Sequence, residues 1–233
     1  MATDVNRVHD GGPLISKLQP APGAKPFLRW AGSKRKQLSR LSPFWSRNHT
    51  GYVEPFAGSA CLFFELAPHT GVLGDSNREL IEVYRVVRDD PEKLYRRLRC
   101  IRRDLETYTR WRSLDPRSLD RDTRALRLLY LNRNCFNGIY RTNLEGHFNV
   151  PMGSKLSAYF EKSDLVRCSN LLKNVKLVAG DFEKTLENVV AGNFVYLDPP
   201  YAVDSRRIFV PCRQTWMAEN RLRCWLTRLE RRR

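Results

Sequence analysis

The chain has 233 residues, 41 Lys and Arg against 25 Asp and Glu, a formal charge of +16 and a pI near 10.0. That length suits one α/β domain carrying an inserted subdomain. So large a cationic surplus attracts a polyanion, nucleic acid being the usual one; a merely solubilising basic surface is the plainer alternative. No apolar run approaches the roughly 20 residues that span a bilayer, so no membrane association is expected. The cysteines Cys61, Cys100, Cys135, Cys168, Cys212 and Cys224 are scattered without a C-x-x-C, and the histidines complete no metal-ligand spacing. Neither a disulfide nor a metal is expected, and the thiols read as reduced in a cytoplasmic setting.

Residues 1–24 are polar, with Gly11-Gly12-Pro13 and Pro20-Ala21-Pro22-Gly23, and have no signal-peptide core; they read as a disordered arm. Gly51 to Pro55 reads as a short strand and Ser59 to Leu66 as the helix after it. Gly71 to Gly74 is a second strand ending at Asp75, and Asn77 to Arg88 carries Leu80, Ile81, Tyr84 and Val87 at helical spacing. Strand, helix and strand at short intervals argue for parallel pairing. From Pro91 to about Asn170 arginine is dense, and helical stretches alternate with a Gly/Asn-rich loop from Asn132 to Gly153. The sheet resumes with Val175 to Val178, ending at Gly180-Asp181, and with Phe194 to Leu197, ending at Asp198.

Two motifs sit where apolar runs end. In an α/β sheet, ligands bind at the carboxyl ends of the strands. Phe56-Ala57-Gly58 follows a strand and opens a helix, where a small residue lets a ligand approach backbone N–H groups. Asp75 is placed to accept hydrogen bonds from ribose hydroxyls, or, more plainly, to cap the next helix. The absence of G-x-G-x-x-G disfavours a nicotinamide or flavin dinucleotide. In Asp198-Pro199-Pro200-Tyr201 the prolines remove N–H donors and leave carbonyls to accept. Asp198 and the Pro199 carbonyl can both accept from an exocyclic amine, and Tyr201 can stack on the ring that bears it. The pair of motifs suggests methyl transfer to a nucleobase; a proline-terminated strand with a surface tyrosine is the alternative.

The chain resembles the Dam-type family of DNA adenine-N6 methyltransferases. The resemblance rests on Pro26-Phe27-Leu28-Arg29-Trp30-Ala31-Gly32-Ser33-Lys34, on Tyr52 through Ser59, and on Asp75-Ser76-Asn77. It continues through Leu131 to Asn143, Gly146 to Pro151, Gly180-Asp181-Phe182 and Asp198 to Tyr201, all in the family's order between about Lys25 and Arg207. Ser33 and Ala60 stand where the family often has glycine. The resemblance implies a Rossmann-like α/β sheet that uses S-adenosyl-L-methionine, with an inserted, mostly helical DNA-recognition subdomain. It implies cofactor contacts at Trp30, Lys34, Phe56, Gly58, Asp75, Asp181 and Asp198. It also places Asp198, Pro199 and Tyr201 around a flipped adenine in double-stranded DNA. Arg133, Phe136, Asn137, Ile139, Arg141 and Asn143 fall to the DNA, with Phe136 and Ile139 as wedges and Arg141 reaching a guanine edge.

These readings divide the chain into an arm (1–24), a catalytic domain (25–90 and 171–210), a target-recognition insert (91–170) and an atypical basic tail (211–233). The family continues past Tyr201 with further strands, whereas Ser205 to Arg233 is arginine-rich with Leu222, Trp225, Leu226 and Leu229 at helical spacing. C-terminal strands are therefore expected to be missing, as in a truncated or altered enzyme. The expected function is adenine-N6 methylation by a monomer, with a cognate restriction endonuclease as a possible functional partner. The alternatives are an N4-cytosine or RNA base methyltransferase and a catalytically impaired DNA-binding remnant.

Overall fold

The computed structural model describes residues 23–156 and 158–199. Strands β1 (Gly51–Glu54), β2 (Gly71–Asp75), β3 (Val175–Ala179) and β4 (Asn193–Val195) form one parallel sheet in the order β3-β2-β1-β4. The helices are α1 (Leu38–Leu41), α2 (Cys61–Leu66), α3 (Arg78–Asp89), α4 (Pro91–Arg99), α5 (Leu105–Ser113), α6 (Arg121–Asn134), α7 (Lys162–Leu172) and α8 (Phe182–Leu186). The chain steps outward from β1 through β2 to β3, then returns to lay β4 on the other side of β1. That reversal makes the gap between β1 and β4 the switch point of the sheet, where an open α/β fold leaves a crevice. All four residues of β1 are buried, as expected of a central parallel strand.

Each strand and helix expected between Gly51 and Leu197 is present, with boundaries shifted by a residue or two. Helix α2 starts at Cys61 because Ala60 adopts a left-handed conformation, φ 47°, just before it. Helix α3 starts one residue after Asn77, whose side chain caps it by accepting from the Leu80 N–H at 3.1 Å. Leu80, Ile81, Tyr84 and Val87, the apolar stripe read from the spacing, are all fully buried. Strand β4 is short, yet its ladder runs one residue further, because the Tyr196 N–H donates to the Val53 carbonyl at 2.8 Å. Gly23 and Ala24 already belong to the packed chain: the Ala24 N–H donates to the Phe64 carbonyl at 2.9 Å and Ala24 is buried. The remainder of the polar arm and the basic tail, with its apolar spacing at Leu222 to Leu229, lie outside the described residues.

The arginine-dense segment folds as α4, α5 and α6, and α7 follows. Asp90, Asp104 and Asp120 each cap one of its helices, accepting from the N–H three residues on. One apolar cluster runs from the sheet residues Tyr52 and Leu73 through α3 to Leu94, Leu98, Tyr108 and Leu129. The helices thus share their core with the sheet. No helix among the described residues is long and apolar enough to cross a membrane.

Arginine density in this segment does not all face solvent. Arg127 is buried, donating through Nε to the Trp111 carbonyl at 3.0 Å and through Nη2 to the Arg112 carbonyl at 2.9 Å. Its Nη1 lies 3.8 Å from Glu79 Oε2, a buried oxygen with no hydrogen-bond partner among the described residues. The guanidinium ties the end of α5 to α6 and its charge to α3. Arg127→Leu is expected to lower the unfolding free energy by about 3–5 kcal/mol, the usual cost of stranding a buried charge. Urea denaturation with an unchanged m-value would check this; a loss under 1 kcal/mol would show that the carbonyls and Glu79 re-solvate freely.

Candidate active site

The turn after β1 is held by three hydrogen bonds. The Ala57 N–H donates to the Gly74 carbonyl at 2.8 Å, the Gly58 N–H donates to Asp75 Oδ2 at 3.0 Å, and the Tyr84 hydroxyl donates to the Gly58 carbonyl at 2.6 Å. Gly58 has φ +48°, and a Cβ there would come within 2.8 Å of Trp30 Cδ1, so glycine is required by both conformation and space. Ala60 bears a similar φ with a side chain, a strain of about 1 kcal/mol that a glycine would not carry.

Asp75 spends one oxygen on Gly58 and the other on the Asn77 N–H at 2.9 Å. Burial raises its pKa, and the two backbone donors oppose that rise. Its carboxylate therefore fixes the turn after β1 and the entrance to α3, while the remaining lone pairs stay open to a ligand hydroxyl. The capping task considered for Asp75 belongs to Asn77 instead.

Lys34 and Asp198, 164 residues apart, meet at the switch point. Lys34 Nζ lies 2.7 and 2.6 Å from the two carboxylate oxygens and also donates to the Gly32 carbonyl at 3.2 Å. Both side chains are largely covered, 14% and 22% exposed, so solvent screens this pair less than a surface one. The Ser59 hydroxyl donates to Ser33 Oγ at 3.1 Å, which joins the lysine's segment to the Gly58 turn. Phe56 lies against Phe182 with ring centroids 5.5 Å apart, making an apolar wall at the same end of the sheet. Asp181 is exposed and caps α8, accepting from the Glu183 N–H at 3.1 Å. Pro199 is half-buried directly after Asp198; Tyr201 lies outside the described residues.

Glu54, last in β1, is the residue whose role sequence reasoning missed. It is 3% exposed, and its Oε2 accepts from the Tyr52 hydroxyl at 2.9 Å. Burial pushes its pKa up to about 8; the Tyr52 hydrogen bond opposes this, and the Asp198 and Asp75 charges add to it. At neutral pH it is a neutral carboxylic acid behind two carboxylates. Its signal in the sequence was a lone acid closing an otherwise apolar strand.

The segment read as DNA-facing divides in two. Asn132 and Asn134 complete α6 and turn inward. The Asn132 amide accepts from the Arg29 N–H at 3.0 Å and donates to the Arg29 carbonyl at 2.6 Å and the Gly138 carbonyl at 3.3 Å. Asn134 donates to the Tyr130 carbonyl and the Tyr159 hydroxyl. Beyond them the chain rises into a turn where Phe136 is 48% exposed and Asn137 has φ 52°. Antiparallel bridging of Thr142 to Phe148 then makes a hairpin. Arg141 is exposed on it and donates to Asn149 Oδ1 at 2.8 Å, while Asn143 braces the tip by accepting from the His147 N–H at 2.8 Å. Arg133 and Ile139 are half-buried.

Trp30 connects the two regions. Its ring covers Gly58 on one side and stacks on Tyr140 of the hairpin stem, centroids 5.4 Å apart and planes at 21°. The Tyr140 hydroxyl, whose pKa burial pushes up to about 12, is hydrogen-bonded to the Asn77 side chain.

Comparison with known proteins adds a consistent set of matches. Residues 30–225 match the family model described as D12 class N6 adenine-specific DNA methyltransferase. The type II methyltransferase M1.LlaDCHI of Lactococcus lactis subsp. cremoris is 39% identical over 191 residues, 76% of this chain and 66% of the relative. The type II methyltransferase M.MjaIII of Methanocaldococcus jannaschii is 37% identical over 199 residues, covering 76% and 69%. A DNA adenine methylase of Serratia marcescens is 33% identical over 184 residues, covering 76% and 66%. The matched region thus spans about two thirds of each relative's length.

Glu54 supplies a pH test of this geometry. The folded chain holds its proton up to about pH 8, whereas an unfolded glutamate releases it near 4.5, so the folded state binds more protons between those values. Stability from this group falls as pH rises through that window. The difference in thermal midpoint between the wild type and Glu54→Gln is expected to change in favour of the variant from pH 5 to pH 9. A difference independent of pH would show that Glu54 is ionised in the folded chain.

Proposed function

The chain belongs to the D12 class of N6 adenine-specific DNA methyltransferases, and we propose that it transfers a methyl group to N6 of an adenine flipped out of double-stranded DNA. The observation that carries this reading is the Lys34–Asp198 pair at the β1/β4 switch point, beside the Gly58 turn. The donor set suits S-adenosyl-L-methionine, whose amino-acid end is a zwitterion: an ammonium, a carboxylate and two covered aromatic surfaces offer each part a partner. Lys34 would hold the carboxylate, Asp198 the ammonium and Asp75 the ribose hydroxyls, with Trp30, Phe56, Gly58 and Asp181 bordering the same pocket. When bound, that cofactor supplies the electrophilic methyl group.

The protein's own part is positioning. Asp198 and the Pro199 carbonyl accept from the two N6 hydrogens, which aims the nitrogen lone pair and favours the positive charge that develops on it. Proline at 199 offers a carbonyl with no competing N–H of its own. Lys34 holds Asp198 in place, yet each carboxylate oxygen retains a further lone pair for the incoming amine. Tyr201 is proposed to stack on the adenine. Catalytic residues 25–90 and 171–210 would present this pocket, and the 91–170 segment would read the duplex. There Phe136 and Ile139 act as wedges, Arg141 reaches a base edge, and Arg133, Asn137 and Asn143 give further contacts. We place the protein in the cytoplasm as a monomer. The type II relatives favour a restriction endonuclease as its functional counterpart.

Incubation with methyl-labelled cofactor and unmethylated genomic DNA is expected to yield N6-methyladenine on nucleoside analysis. Asp198→Ala should lower transfer by about 100- to 1000-fold, the range for removing one positioned transition-state group, with duplex binding kept within a few-fold. Label in cytosine, or full turnover by Asp198→Ala, would overturn the assignment.

A further inference from the structure

Tyr140 turns inward between two residues read above as DNA-facing. Arg141 after it is exposed on the hairpin, and Ile139 before it is half-buried. The Tyr140 ring meets Phe148 edge-on across the hairpin, centroids 5.8 Å apart and planes at 61°. It stacks on the Trp30 indole, centroids 5.4 Å apart. Its hydroxyl is hydrogen-bonded to the Asn77 side chain.

Trp30 and Asn77 both adjoin the partners of one carboxylate. Asp75 accepts from the Asn77 N–H at 2.9 Å through one oxygen and from the Gly58 N–H at 3.0 Å through the other. Tyr140 bonds the side chain of Asn77 directly and reaches Gly58 through the indole, which lies where a Gly58 side chain would stand. Neither end of this bridge is loose. Phe148 is buried, and Asn77 is tied into the first turn of α3 through the Leu80 N–H. An aromatic pair keeps its energy only in certain relative orientations, and a hydrogen bond fixes a second point of the same side chain. The tyrosine is thus held by Phe148, Trp30 and Asn77 together, and it fixes the plane of the indole. A side chain that only filled space would need the ring but not the hydroxyl.

We propose that Tyr140, although it belongs to the hairpin, is a positioning residue of the cofactor pocket: it sets the Trp30 indole over the Gly58 turn and holds Asn77 beside Asp75. The inference rests on the cofactor reading above and adds to it a residue from the segment read as DNA-facing. A pocket wall fixed before the ligand arrives costs less to order on binding, so the tyrosine contributes affinity without touching the cofactor.

Titration calorimetry of the full chain with S-adenosyl-L-homocysteine, without DNA, reads this directly. Tyr140→Phe keeps the ring and loses the Asn77 bond, and its dissociation constant is expected to rise about threefold. Tyr140→Leu loses both contacts, and a rise of about tenfold is expected. The Phe variant keeps the test valid if the Leu variant unfolds. On a genomic fragment that the wild type methylates, Tyr140→Phe should raise KM for S-adenosyl-L-methionine by a similar factor while kcat stays within about twofold. A role in folding alone would instead lower the active fraction, and kcat with it, at unchanged KM. That pattern, or calorimetric constants equal to the wild type's in both variants, would overturn the role of Tyr140 alone. A wild type that binds no S-adenosyl-L-homocysteine would overturn both readings. A wild type that binds it yet methylates no DNA would overturn the proposed function, and the calorimetry would still decide the role of Tyr140.

Discussion

The position of β4 is the constraint on which the site depends. Had the chain added its fourth strand beside β3, two strands would separate Asp198 from the Gly58 turn. Returning to β1 instead, with Val53 facing Val195 and the Tyr196 N–H on the Val53 carbonyl, brings the two strand ends together. Lys34 then closes on Asp198 from a segment that is itself joined to the turn through Ser33 and Ser59. The switch point thus becomes chemical because three stretches of chain, distant in sequence, converge on it.

A second set of contacts joins the hairpin after α6 to the Gly58 turn. Asn132 holds both backbone groups of Arg29, which places Trp30; Trp30 in turn lies between Gly58 and Tyr140. A side chain added at Gly58, a lost amide at Asn132 or a lost ring at Tyr140 would each disturb the same indole. The pocket and the hairpin are in this sense built on a single residue.

Charge is distributed by burial. Glu54 lies deepest and keeps its proton, Asp75 is engaged by backbone N–H groups, and Asp198 meets a lysine. The arginines that make the chain so basic have separate fates. Arg127 is a core strut, Arg124 pairs with Glu82, Arg141 stands on the exposed hairpin, and Arg133 lies half-covered among like charges. A sum of +16 describes none of these individually.

The sequence by itself determined the elements and the motif-bearing ends of the strands. Alternation of short apolar runs with the 3.6-residue stripe of Leu80, Ile81, Tyr84 and Val87 is local information, and so are the aspartates that open helices. The glycine at 58 and the prolines after Asp198 mark turns for equally local reasons of backbone conformation. What only the tertiary structure decided were relations between distant side chains. Asp75 fixes backbone rather than capping α3, Asn132 and Asn134 turn inward although they head a polar loop, and Arg127 is buried within an arginine-rich stretch. Glu54, part of a recognised motif, has its pKa raised because the fold buries it and sets the Asp198 and Asp75 carboxyls near it, against the opposing hydrogen bond from Tyr52. Burial and charge coupling depend on what the folded chain places within a few ångströms, and a linear pattern carries no such distances.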